Sequence, residues 1–360
     1  MEKKVLQVLC NQDTVYREED TVIIRFAGQR KVASSSLING GVRNDLTAVI
    51  NHHSSEKEAM TVAVYRKNMK DLCLRLGYDP HKVSIMGTGV PMKNAVVKSE
   101  RYRNLTVTAV VTAGAEGNPG RAGEPASVSL LYYKDGLPRG TINIMLHYSC
   151  NMPDGILMRS IVTATEAKSA ALQELQIGSR YSYGLATGTG TDQILAICDP
   201  AANLLVEDCG KNSKTGEITG RLVKDAVKEA LYLQNSFCSK KMHSIEKRMY
   251  RFGINEEKLY QDYCSLYGVN ISPEAFKNAL KNSENDGKTF CLSVLFAHLL
   301  DQYHWNLISD NEFKNVASVL RKEMAGEIPV RELSGRNHAE PELKLWEECL
   351  LALIHHRYCI

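Results

Sequence analysis

Three apolar runs, Leu105–Thr112, Ser127–Tyr133 and Thr141–Tyr148, fall within about 45 residues and are rich in β-branched and aromatic side chains. Gly, Pro and Asn separate them. Parallel neighbours need a crossover of a dozen or more residues, usually a helix, so runs this close favour hairpin-like antiparallel pairing. The expected fold class is therefore α+β, a mixed and largely antiparallel sheet packed by helices. Further strands are expected at Val5–Leu9, Val22–Phe26, Lys31–Ser35, Val83–Met86 and Ile194–Cys198. Helices are expected at Glu56–Leu76, closed by Gly77 and Pro80, and at Pro153–Leu175, where Pro sits near the first turn. Thr215–Leu233 places Ile218, Leu222, Ala226, Ala230 and Leu233 on one face of a third helix. Strand order is not determined by these patterns, and a parallel α/β fold is the alternative.

The character of the chain changes after Asn235. Residues 236–360 are rich in Lys and Glu, poor in Gly, and carry helical periods at Phe290–Tyr303 and Leu343–His356. The expected organisation is an α+β domain over 1–235 and a helical C-terminal extension over 236–360. Trp305, Trp346, His355 and His356 read as packing and a solvated chain end. Hydrophobic residues at 44%, charged residues at 24% and a net charge of +3 give no electrostatic case for nucleic acid or a membrane surface. Ten cysteines occur without a CxxC pair or a Cys/His cluster at ligand spacing, so reduced, mostly buried thiols and no protein-bound metal are expected. The start MEKKVLQVLCNQDTV lacks the apolar core of a signal peptide, and no run approaches the ~20 apolar residues of a membrane span. A cytoplasmic location is the expectation.

Chemistry is concentrated in clusters of small polar residues at the ends of apolar runs. The loop VTAGAEGNPGRAGEPA sets Asn118 and Arg121 among glycines and prolines, more than a turn requires; Arg121 either contacts a ligand or forms a salt bridge within a rigid connector. In GTINI, Thr141 and Asn143 project from one face of a strand and need partners if buried. A cross-strand hydrogen bond would satisfy them; alternatively, Thr141 is a nucleophile or hydroxyl donor and Asn143 orients a carbonyl. The Gly–Thr junction is similar to that of amidases whose nucleophile is a Thr following a Gly peptide bond. In TATEAK, Lys168 interrupts the apolar stripe Ile161, Ala164, Ala171, Leu175, so it snorkels, pairs with a carboxylate or serves an active site. Glu166 faces elsewhere on that helix. ATGTGTD exposes backbone amides suited to an anion or oxyanion, with Thr189 among them, and Asp192 either orients a proton-transfer partner or caps the turn. Lys211 and Ser213 open the Thr215 helix, where the dipole favours an anionic or acyl group.

In this order, Ser34-Ser35-Ser36 with Asn39-Gly40-Gly41, then VTAG…N.GRAGEPA, GTINI, TATEAK, ATGTGTD and GK.SK.GE, the chain resembles the adenosylcobinamide amidohydrolase family over about residues 30–233. The resemblance implies hydrolysis of the amide joining aminopropanol to the corrin ring, which yields adenosylcobyric acid for cobamide salvage. It also implies a corrinoid small molecule as partner and no separate cofactor, the cobalt being part of the substrate. Thr141, Glu166, Lys168, Asp192 and Lys211 are the catalytic candidates; Ser36, Asn39, Asn118, Arg121, Asn143, Thr189 and Ser213 are the candidates for holding substrate. Two positions depart from the family pattern: Asn212 where a His is usual, and Glu124 where an Asp is usual. A non-catalytic corrinoid-binding protein is the alternative that Asn212 keeps open.

Overall fold

The computed structural model describes residues 3–54, 61–125, 140–268, 271–331 and 341–358. Two compact units are present, Met1–Tyr181 with Leu185–Cys238, and Ser182–Gly184 with Ser239–Ile360. The first unit opens with strands β1 (Lys4–Val8), β2 (Thr14–Glu18), β3 (Thr21–Arg25), β4 (Lys31–Ser34), β5 (Gly41–Arg43) and β6 (Ala48–His53). Helix α1 (Val62–Arg75) leads to β7 (Val83–Thr88), β8 (Val96–Tyr102), β9 (Leu105–Gly114) and the short β10 (Pro119–Gly120). Then come β11 (Thr141–Tyr148), α2 (Asp154–Glu174), the short β12 (Gly188–Thr189), β13 (Gln193–Cys198) and α3 (Lys214–Asn235).

These strands build two main sheets, in the orders β1-β2-β3-β6-β7 and β5-β4-β13-β11-β9-β8, with β10 and β12 paired separately. Most neighbours are antiparallel, as the closely spaced runs demand. Two pairs are parallel, β6 with β7 and β11 with β13. Each is joined through a helix, α1 or α2, which supplies the crossover length a parallel pair requires.

The sheets pack face to face. Val15, Val22, Ile24 and Val49 of the first sheet meet Val32, Val110, Met145, Leu195 and Ile197 of the second in one apolar cluster. The other face of the first sheet buries Ile23, Ile50 and Ile85 against Met69 and Leu72 of α1. Helices α2 and α3 cover the second sheet, α2 over β13 and α3 over β9. The order of layers is therefore helix, sheet, sheet, helices. Where the sequence pointed to one sheet, the structure has two, because β2 and β6 were not expected. Strand β6 reads AVINHH, and its Asn and two His interrupt the apolar run that would have marked it. The run Ser127–Tyr133 and the first turn expected at Glu56 lie outside the described residues.

The second unit is helical: α4 (Ser239–Met242), α5 (Ile245–Met249), α6 (Glu256–Tyr267), α7 (Pro273–Asn285), α8 (Gly287–His304), α9 (Asp310–Ala325) and α10 (Pro341–Tyr358). Phe276, Phe296, Phe313 and Trp346 are fully buried at its centre. Ser309 and Glu312 form a reciprocal capping box that starts α9.

Candidate active site

Alternation along β11 sends Thr141, Asn143, Met145 and His147 into the layer between the sheets, and Ile142, Ile144, Leu146 and Tyr148 toward the helices. The inter-sheet layer is apolar at its middle and polar at both ends. At the Thr141 end, the Asn143 carboxamide donates to Asn51 Oδ1 at 2.8 Å and to the Gly87 carbonyl at 3.0 Å, and Asn51 donates on to Thr112 at 2.8 Å. A carbonyl can only accept, so Gly87 fixes which way the Asn143 amide points. Its oxygen is then left buried without a partner.

Thr141, 6% exposed, places its hydroxyl 2.7 Å from that of Thr191. The Gly140 carbonyl beside it accepts from Thr191 Oγ1 at 3.0 Å and lies 3.1 Å from Thr189 Oγ1, whose one proton goes to Asp192. Asp192 binds the whole corner together. Its Oδ1 accepts from the Ile142 amide at 2.8 Å and Thr189 Oγ1 at 2.5 Å, while Oδ2 accepts from the Thr189 amide at 2.9 Å and pairs with Lys168 Nζ. Lys168, 7% exposed, reaches this carboxylate from α2 because the chain at Gly188 has no side chain; a Cβ there would strike both Asp192 and Lys168. A buried lysine in an apolar stripe is thus a paired one.

The two glycine-rich motifs meet through β10 and β12, where Pro119 lies opposite Thr189. Glu124 secures the first loop by accepting from the Arg121 amide at 2.9 Å and Ser179 Oγ at 2.8 Å, so its longer carboxylate still serves as an anchor. Arg121 itself donates to the Leu185 carbonyl at 3.4 Å. Asn118 is 4% exposed, and its side-chain oxygen lies without a partner against Gly140, where a Cβ would collide with it. A cleft of about 290 Å³ opens over Gly140, lined also by Gly89, Val90, Gly114 and Glu116.

Beside Arg121, which bonds the Leu185 carbonyl, the expected residues divide into three groups. Thr141, Asn143, Lys168, Thr189, Asp192 and Asn118 come together as described. Glu166 and Lys211 do not join them. They face each other at 3.3 Å, largely exposed, on an open groove of about 1020 Å³ between α2 and α3. The helix geometry explains this, since Glu166 lies two positions from Lys168 and so projects from another side of α2. Ser36, Asn39 and Ser213 spend their hydrogen bonds on backbone. Ser36 donates to the Ile85 carbonyl, Asn39 donates to Pro80 and Val83 at 2.7 Å each, and Ser213 caps α3 through the Gly216 amide at 3.0 Å.

Several residues of this corner were not singled out by the sequence. Thr191, Asn51, Thr112 and Gln193 all face it, and the Gln193 side-chain oxygen and His53 Nδ1 are buried without partners. The signal was the period-two alternation of Val49, Asn51 and His53 along β6. At the far end of the layer a second polar group was also missed. Asp13, fully buried, accepts from Arg30 Nε at 2.8 Å, Arg30 Nη2 at 2.9 Å, His147 Nε2 at 2.9 Å and the Ala27 amide at 2.7 Å. Burial pushes the Asp13 carboxyl up, but the bonds from His147, Arg30 and Ala27 outweigh it and hold the carboxyl below its ordinary value. The nine described cysteines are free, and burial pushes the Cys150 thiol up to about 12, far from a reactive thiolate. Among the described residues, no group of three or more His, Cys, Asp or Glu side chains is placed to hold a metal ion. No helix among them is long and apolar enough to cross a membrane.

Comparison with known proteins places this geometry. The model of the CbiZ family, adenosylcobinamide amidohydrolase, matches residues 6–239. The chain belongs to the adenosylcobinamide amidohydrolase family. That match takes in the whole sandwich and α3, and stops where the second unit begins. A relative in Methanocaldococcus jannaschii, the uncharacterized protein MJ1613, is 34% identical over 235 residues, which are 62% of this chain and 90% of the relative. The crystal structure of the PH0078 protein from Pyrococcus horikoshii OT3 aligns with 66% of this chain and 82% of its own, at 12% identity and a TM-score of 0.30. That likeness is too low to support any argument about this adenosylcobinamide amidohydrolase family member.

Proposed function

We propose that this protein hydrolyses the amide joining aminopropanol to the corrin ring of adenosylcobinamide, releasing adenosylcobyric acid for cobamide salvage. The observation that carries the reading is the Thr141 corner, a buried hydroxyl beside a paired lysine in a setting of unpartnered amide oxygens. A buried acceptor without a partner costs about 1–3 kcal/mol, so several at one end of a core mark a place made for a donor-bearing ligand. A corrinoid carries a rim of carboxamides, whose N–H groups match the oxygens of Asn118, Asn143 and Gln193. The cleft over Gly140 is of a size for the aminopropanol half, not for the ring.

Cleaving an amide needs a nucleophile, charge stabilisation at the carbonyl oxygen and a proton for the departing amine. Thr141 Oγ1 is the nucleophile in this reading. Lys168 has three ammonium donors and Asp192 takes one, which leaves donors for the developing oxyanion or the leaving nitrogen. Asp192 accepts four hydrogen bonds and therefore positions Lys168 rather than taking a proton. The reading calls on no separate cofactor, and cobalt enters as part of the substrate.

The alternative, a protein that binds corrinoid without cleaving it, rests on Asn212. This residue is exposed in the turn before α3. The other end of that helix, Asn235, accepts from the Ala115 amide at 3.1 Å, beside the Gly114 that pairs with Thr141. A helix of 22 residues spans about 33 Å. None of the hydrogen bonds described at the Thr141 corner involves Asn212, which favours the hydrolase. Incubating the protein with adenosylcobinamide and separating the products by chromatography tests the choice. Adenosylcobyric acid and free aminopropanol are expected; bound but unchanged substrate would establish the alternative.

A further inference from the structure

We propose that the Gly140–Thr141 peptide bond cleaves itself, so that the working protein consists of two chains with Thr141 as the first residue of the second. The described contact of the Thr141 hydroxyl is with another hydroxyl, that of Thr191, and not with a base. A threonine hydroxyl is a weak nucleophile unless a base stands next to it. The carboxylate of Asp192 is filled by its four donors. His147 is held by Asp13 at the far end of β11, about 20 Å away at the rise of a strand. A free α-amino group on Thr141 would supply the base within the same residue, with an ordinary pKa of about 7.7–8.0.

Three features of the corner suit the reaction that frees this amine. The Gly140 carbonyl stands just outside the β11 ladder and accepts from the Thr191 hydroxyl at 3.0 Å, the proton of Thr189 being taken by Asp192. A donor on this carbonyl polarises it and is in place for negative charge on its oxygen. The Thr141 hydroxyl is steadied by Thr191 at 2.7 Å, in a side chain that is almost wholly buried. The Asn118 carboxamide, 4% exposed, presses its unpartnered oxygen against Gly140 and leaves no room for a side chain there.

The step balances with one water. Thr141 Oγ1 adds to the Gly140 carbonyl carbon through a five-membered ring, and its proton passes to the Thr141 nitrogen. The carbon–nitrogen bond breaks, leaving an ester between Gly140 and the Thr141 side chain. Water then divides that ester into a Gly140 carboxylate and a Thr141 with free hydroxyl and free amine. No group is oxidised or reduced. The inference deepens the reading of Thr141 as nucleophile, and its test does not depend on the corrinoid.

The test is intact-mass measurement of the purified full-length protein, with sequencing from the amino terminus of each product. Two chains are expected, 1–140 and 141–360, whose masses sum to that of the undivided chain plus one water, with the second beginning at Thr141. Thr141→Ala should remain one chain. Thr141→Ser, which keeps a hydroxyl and the fold, should still divide. An undivided wild-type chain overturns the inference, and if that chain also releases adenosylcobyric acid the proposed function stands without it. Division at another bond, or division of Thr141→Ala, shows a foreign protease and overturns it as well. A divided chain that leaves adenosylcobinamide unchanged would uphold the inference and remove the hydrolase reading.

Discussion

The two ends of the inter-sheet layer are both buried and both polar, yet they are finished differently. At the Asp13 end every carboxylate lone pair has a donor, and Arg30 also donates to the Asn11 carbonyl at 3.0 Å. At the Thr141 end the oxygens of Asn118, Asn143 and Gln193 and the Nδ1 of His53 have none. A buried network with all members satisfied holds a fold, whereas a partly satisfied one is tolerated only where something else completes it. One β-strand, β11, carries a residue of each kind, His147 and Thr141. Burial alone therefore does not tell the two ends apart; the hydrogen bonds left open at one of them do.

The comparison predicts different consequences at the two ends. Asp13→Ala leaves Arg30 and His147 buried without their shared partner, and should cost about 3–5 kcal/mol in urea unfolding while turnover per folded molecule is kept. Loss of turnover with unchanged stability would exchange the roles of the two ends. Lys168→Met should act on turnover: that of adenosylcobinamide falls about 10²–10³-fold per folded molecule, in the range found for removing one oxyanion donor, and the KM changes little, beside the stability lost by leaving Asp192 buried without its cation.

Two buried acids sharpen the contrast through pH. The Asp13 carboxyl is held below its unfolded value, so its contribution to stability is present above about pH 3.9 and is lost as pH falls through the folded value. In the helical unit, burial first and then Asp262 push Glu347 up to about 7, against Lys258 Nζ at 3.2 Å. Its contribution is present below about pH 4.3 and is lost as pH rises through about 7. Both tryptophans, Trp305 and Trp346, lie in this unit, so their fluorescence reports its unfolding. The urea midpoint read this way should fall between pH 5 and 7.5, and Glu347→Gln should flatten it; an unchanged slope would show that another group titrates.

The smallest effects belong to the α2–α3 groove. Glu166→Gln breaks an exposed pair worth about 0–1 kcal/mol and should leave both stability and turnover nearly unchanged. Asn212→His should change turnover less than about threefold if Thr141 carries the chemistry, because no hydrogen bond described at that corner involves position 212. A large gain would move the chemistry to the groove.

Much of this was legible in the sequence. The closely spaced runs favoured antiparallel pairing, which Leu105–Gly114 and Thr141–Tyr148 show, and pairing with a carboxylate was one of the outcomes open to Lys168 within its apolar stripe. Thr141 and Asn143 were assigned to one face by strand alternation alone. What the sequence could not show was distance across the core. Asn51 and Asn143 are 92 positions apart and Asp13 and His147 are 134 apart, so their pairing depends on how the two sheets stack. Sharing a motif did not mean sharing a site, although helix spacing already put Glu166 and Lys168 on different sides of one helix. Lys168 and Glu166 share TATEAK, and helix geometry sends one into the core and the other to solvent.

The most direct test is a side-by-side assay of the wild type and Thr141→Ala with adenosylcobinamide, following adenosylcobyric acid by chromatography and corrinoid binding by visible absorbance. Both proteins are expected to bind, and Thr141→Ala to release product at least about 10³-fold more slowly. Equal release by the two proteins would contradict the account.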